Sequence, residues 1–201
     1  MGGERTAVLG VGQTHYRSTR GDVSMAGLVR EAAMRALEDA GLGWSDIAYN
    51  FLVDKYGRLW EGRAGGVTKP VRGAHTLGFN ATSAGVAAIG NYEVAGPSKK
   101  MLGALADLAA WKLDQYARKP RGKITVRSEG SDKYAAGATP TLRIIDGHRD
   151  TNDTACPGKL LYARLDDVPR VVVDPRGALS AAAALGAGAA SATRATARAQ
   201  P

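Results

Sequence analysis

The chain has 201 residues, 44% of them hydrophobic and 23% charged, so it is long enough for one domain with a real core plus appendages, and it is not composed like a disordered chain. No apolar run approaches the ~20 residues that span a bilayer, which excludes a membrane-crossing helix. The 27 Lys and Arg outnumber the 19 Asp and Glu, for a formal charge of +8 and a pI near 9.8. The excess lies in residues 48–175 and in the C-terminal tail, and it suits a polyanionic partner as well as it suits ordinary solubility. No tight basic cluster with interleaved aromatics is present, so no nucleic-acid partner is expected.

Three zones follow one another. Residues 5–47 read as a strand, Ala7 to Val11, then a loop and a helix with Leu28, Val29, Ala32, Ala33, Ala36 and Leu37 at helical spacing, ended by Gly41 and Gly43. The apolar stretch Thr6 to Gly12 is too short for a secretory core, so no export signal is expected in the chain as it stands. From Tyr49 the period shortens. Phe51-Leu52-Val53 reads as a strand, Asp54 to Gly57 as a turn, and Leu59-Trp60-Glu61 as the returning strand of a hairpin. The small apolar run Ser83 to Gly90 fits a buried strand.

Between Met101 and Tyr116, Leu102, Leu105, Leu108, Ala109 and Leu113 fall on one face and predict an amphipathic helix. Residues 118–140, rich in Gly, Lys, Arg, Ser and Pro, read as an exposed excursion. Leu142 to Ile145 reads as a core strand, and Leu160 to Leu165 as a short final helix. Residues 176–201 are an Ala-rich tail with few large apolar residues to dock, and are expected to be flexible.

The chemistry concentrates in Gly147-His148-Arg149-Asp150-Thr151-Asn152-Asp153-Thr154-Ala155-Cys156-Pro157-Gly158. An imidazole at the end of a predicted strand and a thiolate on the loop after it are both good zinc ligands, and a polar turn can bring them onto one ion. A lone cysteine is otherwise a small buried hydrophobe, and Cys156, as the only one, excludes an internal disulfide.

This string, with Trp44-Ser45-Asp46-Ile47-Ala48-Tyr49-Asn50-Phe51-Leu52-Val53, Glu61-Gly62-Arg63, Gly73-Ala74-His75-Thr76 and Gly85-Val86-Ala87-Ala88-Ile89-Gly90-Asn91-Tyr92, resembles the peptidoglycan recognition protein and zinc-dependent N-acetylmuramoyl-L-alanine amidase family from about Trp44 to Leu165. The resemblance implies an α/β single domain with a central mixed sheet flanked by helices, a peptidoglycan or muropeptide partner, and action at the cell wall as a monomer. It also implies hydrolysis of the amide between N-acetylmuramic acid and L-alanine, with Zn2+ held by two His and one Cys and a fourth position left for water.

By that likeness His148 and Cys156 are metal ligands. Tyr49 matches a tyrosine beside the reacting water and oxyanion, its alternative being an edge-strand aromatic. Thr154 matches a residue that supports the developing charge, or else it stabilises its loop. His75 and Thr76 match the substrate groove wall, with Asn80 and Arg63 beside them; a structural histidine, and an Arg63 pair with Asp54 or Glu61, are the alternatives.

The family takes its first zinc ligand from a His-His-Thr motif at the end of the first strand, and this sequence has no His-His. Residues 5–47 instead resemble the N-terminus of a thiolase-like acyltransferase or lipid-transfer protein, through Ala7-Val8-Leu9-Gly10-Val11-Gly12-Gln13-Thr14 and Met25 to Asp46. That likeness lacks the thiolase nucleophile and carries no acyl-transfer activity. His15 follows the predicted strand near the place of the missing ligand, and is the candidate third donor; its alternative is a surface loop histidine. If no third donor is present, the expectation is a non-catalytic peptidoglycan-binding module.

Overall fold

The hairpin forms where the alternation places it. In the computed structural model, which describes residues 46–170, β1 (Phe51–Val53) pairs antiparallel with β2 (Leu59–Glu61), with Phe51 opposite Glu61 and Leu52 opposite Trp60. Asp54 builds the turn: its carboxylate accepts the backbone N–H groups of Tyr56 and Arg58, each at 2.9 Å, and the Arg58 Nε–H at 2.7 Å. Burial alone would raise the Asp54 pKa, but these hydrogen bonds and the Arg58 charge pull it below its ordinary value. Arg58 thus takes up the Asp54 carboxylate that sequence alone also offered to Arg63.

The third strand, β3 (Val86–Ala88), pairs in parallel with β1, and the order β2-β1-β3 makes a mixed sheet. It is shorter than the apolar run predicted, and its residues are only half-buried. Against the sheet packs α1 (Lys99–Asp114), started by Ser98, whose hydroxyl accepts the Met101 N–H at 3.1 Å. Met101, Leu102, Ala104, Ala106 and Leu108 form its buried face. The main core joins Val53, Tyr92, Met101, Leu102 and Ala106 to Leu161, Leu165 and Val168, and a smaller cluster gathers Phe51, Val67 and Leu108.

Two expectations are corrected. The segment Leu142 to Ile145 is not a strand of the central sheet: β5 (Thr141–Arg143) pairs antiparallel with β4 (Lys123–Thr125) in a separate two-stranded ribbon. Residues 118–140 are exposed in large part but bury Ser128, and they are built into that ribbon and into the loop between its strands. The chain then forms α2 (His148–Thr151), α3 (Lys159–Tyr162) and a 3-10 turn, Leu165–Arg170, which divides the single final helix predicted. The architecture is α/β with a mixed sheet and packed helices. The predicted strand and helix of residues 5–43, His15, and the Ala-rich tail 176–201 lie outside the described residues. No helix among the described residues is long and apolar enough to cross a membrane.

Candidate functional site

Tyr49 stands one residue before buried Asn50 at the start of β1, and Cys156 lies on the loop between α2 and α3. The Tyr49 hydroxyl and the Cys156 sulfur lie close enough to perturb one another's ionisation. Burial and then the Cys156 charge push the tyrosine pKa up to about 12, so its hydroxyl keeps its proton at neutral pH. Burial also pushes the Cys156 thiol up, opposed by the Tyr49 hydroxyl and by the charge of Arg149. The loop is fixed by its backbone: Arg149 N–H donates to the Cys156 carbonyl at 3.0 Å, and Cys156 N–H donates to Thr154 Oγ1 at 3.2 Å. Thr154 therefore shapes the turn that carries the sulfur.

His148 opens α2. Burial lowers its pKa, against the charge of Asp132 and a hydrogen bond with the Asn152 side chain, which keeps the imidazole neutral and its lone pair available. Asn152 is 6% exposed and belongs to a network. Its Oδ1 accepts from Thr76 Oγ1 at 2.9 Å, and its Nδ2 donates to Asp132 Oδ1 at 3.0 Å. Three successive residues of the 118–140 excursion brace this loop. Ser131 Oγ donates to the Thr151 carbonyl at 2.9 Å, Asp132 Oδ2 accepts the Asp153 N–H at 2.8 Å, and Lys133 Nζ donates to the Arg149 carbonyl.

His75 lies beside Tyr49, ring centroids 5.7 Å apart. Two glycines form the slot that holds it. A Cβ on Gly73 would stand 2.3 Å from His75 Nδ1, and one on Gly85 would stand 2.3 Å from its Cγ. Nε2 meets Ser83 Oγ at 3.2 Å; Nδ1 is buried facing the Ala48 carbonyl, outside hydrogen-bonding geometry. Burial is the first cause that lowers the His75 pKa to about 4, joined by the charges of His148 and Arg63 and opposed by Ala48. Arg63, on the turn after β2, donates its N–H to the Tyr49 carbonyl at 2.8 Å, so its charge and both rings share one region.

Asn80 and Thr76 set the His75 backbone: Asn80 Oδ1 accepts from the N–H groups of His75 and Thr76 at 2.8 and 2.9 Å. Thr76 is buried at 7% exposure, its hydroxyl directed to Asn152 and Thr151. Tyr49, His75, Arg63, His148 and Cys156 thus converge, with Thr76, Asn80 and Thr154 beneath them.

Sequence reasoning missed Asn50, Asp132, Asn152 and the two slot glycines. Asn50 joins three segments, donating from Nδ2 to the Val71 carbonyl at 2.7 Å and accepting the Gly85 N–H at Oδ1 at 2.8 Å. Its signal was a polar side chain set directly before an apolar strand. Asp146, two residues before His148, also went unremarked: burial, then the Asp150 charge, push its carboxyl up to about 7, against Arg143.

With this geometry in view, comparison with known proteins decides the family. The sequence model described as N-acetylmuramoyl-L-alanine amidase matches residues 13–159. The chain belongs to that family. The match reaches back far enough to include His15. Peptidoglycan-recognition protein SA of Drosophila melanogaster is 33% identical over 142 residues, 71% of this chain and 58% of its own length. The human N-acetylmuramoyl-L-alanine amidase is 33% identical over 140 residues, 69% of this chain but 20% of its own. Amidase-family relatives are thus matched over part of their length, and this chain spans about half of the insect recognition proteins. Among solved structures, the ectodomain complex of recognition proteins LCa and LCx with bound tracheal cytotoxin aligns with a TM-score of 0.50 at 25% identity, over 77% of each chain.

Proposed function

We propose that this protein is a zinc-dependent peptidoglycan amidase that cleaves the bond between N-acetylmuramic acid and L-alanine, with His148, Cys156 and His15 as the metal ligands. The observation that carries the reading is one short loop that bears both His148 and Cys156 and is closed on itself, the Arg149 N–H donating to the Cys156 carbonyl and the Asn152 N–H to the His148 carbonyl, each at 3.0 Å. A neutral imidazole and a thiol on one short braced loop are a donor set that fits zinc. Bound there, zinc would supply a polarising Lewis acid and a water of lowered pKa.

The chain's own residues would do the rest. Tyr49 holds a proton at its hydroxyl and presents it where negative charge develops on the scissile carbonyl oxygen. His75, neutral and fixed between Gly73 and Gly85, offers an uncharged ring face and an Nε2 to the glycan or stem peptide. Arg63 brings the positive charge that an anionic stem carboxylate requires. Thr76 and Asn80 hold His75 at this wall of the groove, and Thr154 holds the Cys156 turn. Muropeptide is the partner in this reading, and the thiolase-like likeness of residues 5–47 adds no acyl transfer to it.

A second reading is a module that grips muropeptide without cutting it. It is favoured by one observation: the sequence has no His-His motif to supply the first zinc ligand that the family resemblance implies. The two readings separate on zinc per chain, in wild type and His15→Ala, together with release of stem peptide from purified sacculi. Release abolished by chelator, with zinc lost from His15→Ala, is the amidase result. Muropeptide binding without release is the result for the module, and full zinc in both proteins removes His15 from the site.

A further inference from the structure

The ribbon β4–β5 carries the largest block of charge that the site does not use. From Gln115 to Ser128 the sequence holds Arg118, Lys119, Arg121, Lys123 and Arg127 and not one Asp or Glu. All five cations are exposed, and none has an ion-pair partner among the described residues. The strand alternates cleanly. Ile124 and Val126 turn inward, while Arg121, Lys123, Thr125 and Arg127 face solvent, successive outward residues lying ~7 Å apart along the strand. The ladder continues past β4 through Val126 N–H to the Pro140 carbonyl at 3.1 Å and Ser128 N–H to the Ala138 carbonyl at 2.8 Å, so this face is held extended.

The neighbouring strand adds hydroxyls. Thr125 and Thr141 face each other with their Oγ1 atoms 3.0 Å apart, and Lys123 stands directly opposite Arg143. Like charges so placed repel. Arg143 is neutralised by Asp166 at 2.9 Å and Asp150 at 3.4 Å, which leaves Lys123 uncompensated. At the end of the ribbon a cavity of about 210 Å³ opens between Pro120, Arg121, Gly122, Arg143, Ile145, Leu165 and Asp166, the last of these paired with Arg143.

We propose that this face is a second binding surface, for a linear polymer of repeating phosphodiesters without bases. An extended row of unpaired cations is complementary to such a chain and gains by counterion release. Single-stranded nucleic acid uses successive aromatic platforms for its bases; Tyr116, before the ribbon, is the one exposed aromatic between Gln115 and Ser128, and none stands among the outward residues from Arg118 to Arg127. A lipid surface would be met by large apolar side chains as well, and this face has none. That the polymer is a polyol-phosphate chain of the cell wall rests on the peptidoglycan reading above; the binding itself does not.

The test uses the full chain and a synthetic glycerol-phosphate oligomer, titrated at several salt concentrations. Binding is expected to weaken with salt, with a log–log slope of roughly −2 for three contacts. The variant R121Q/K123Q/R127Q is expected to bind at least ~10-fold more weakly with a flatter slope, while K99Q/K100Q binds as wild type. R121Q alone, expected to lose part of the affinity, serves if the triple variant melts early. Equal binding by the triple variant overturns the proposal, as does preference for oligodeoxythymidine or phosphatidylglycerol vesicles over the oligomer. Muropeptide binding, measured in parallel, is unchanged in the triple variant; its absence in wild type would remove the peptidoglycan reading and leave the ribbon result standing.

Discussion

Thr76 and Thr151, seventy-five positions apart in the chain, share a buried hydroxyl–hydroxyl hydrogen bond of 2.7 Å. It joins the His75 segment to α2, and the Thr76 hydroxyl also reaches Asn152, whose backbone N–H donates to the His148 carbonyl. Replacing Thr76 by Val keeps the shape and removes the hydroxyl, while Thr151 keeps the His148 carbonyl and Asn152 keeps Thr151 and Asp132 as partners. Such a loss costs about 1 kcal/mol, or a Tm lower by ~2–4 °C. Thermal unfolding of T76V with an unchanged midpoint would show that the network contributes nothing.

Tyr49→Phe deletes only the hydroxyl that lies near Cys156. If that proton stabilises the oxyanion, kcat for stem-peptide release falls by ~10²–10³-fold, in the range of other lost oxyanion donors. Zinc content and muropeptide affinity should stay at wild-type levels. Full turnover in Y49F would remove Tyr49 from the chemistry.

The slot around His75 predicts a contrast between glycines. In Gly85→Ala the new methyl would start 2.3 Å from the imidazole, so the ring must leave its place, at a cost of about 1–3 kcal/mol. Muropeptide affinity should drop at least ~10-fold with it. Gly103, on α1, has open space for 4 Å around the position a methyl would take, and Gly103→Ala should stabilise by ~0.5–1 kcal/mol with no effect on binding. Equal affinities in the two variants would contradict the slot.

Acid should weaken the fold through His75. Its folded pKa of about 4 lies below the ordinary 6.5, so the unfolded chain takes the proton first. The stability tied to the neutral ring is therefore complete above pH 6.5 and is lost as pH falls from 6.5 through 4. Allowing for partial solvent screening, it amounts to about 2 kcal/mol. Denaturant unfolding at pH 7 and pH 4, with chelator present, should show a loss larger by about that amount in wild type than in His75→Gln. Parallel losses would assign the acid limb to other groups.

The hairpin was legible because its signals are local: Phe51-Leu52-Val53 before an Asp-to-Gly turn and Leu59-Trp60 after it leave one sensible register. The helix was legible from its period. The partner of Thr141–Arg143 was not, since pairing across sixteen residues depends on which polar strand lies beside it, and Lys123–Thr125 has too little apolar content to announce itself. In the site, family likeness singled out Tyr49, His75, His148 and Cys156 as candidates from their motifs alone. Asn50, Asp132 and Asn152 escaped notice for a physical reason: isolated polar residues read as surface until their partners, 20 or more positions away, are known.

The bracing of the His148 loop by Ser131, Asp132 and Lys133 makes the integrity of the centre hostage to its outermost segment. The loop is anchored on its inner side by buried Thr151 and Asn152, while its outer side is held by a few hydrogen bonds from a polar stretch. A single nick by a protease between Gly130 and Gly137 would therefore loosen the His148–Cys156 loop while leaving the sheet and α1 covalently untouched.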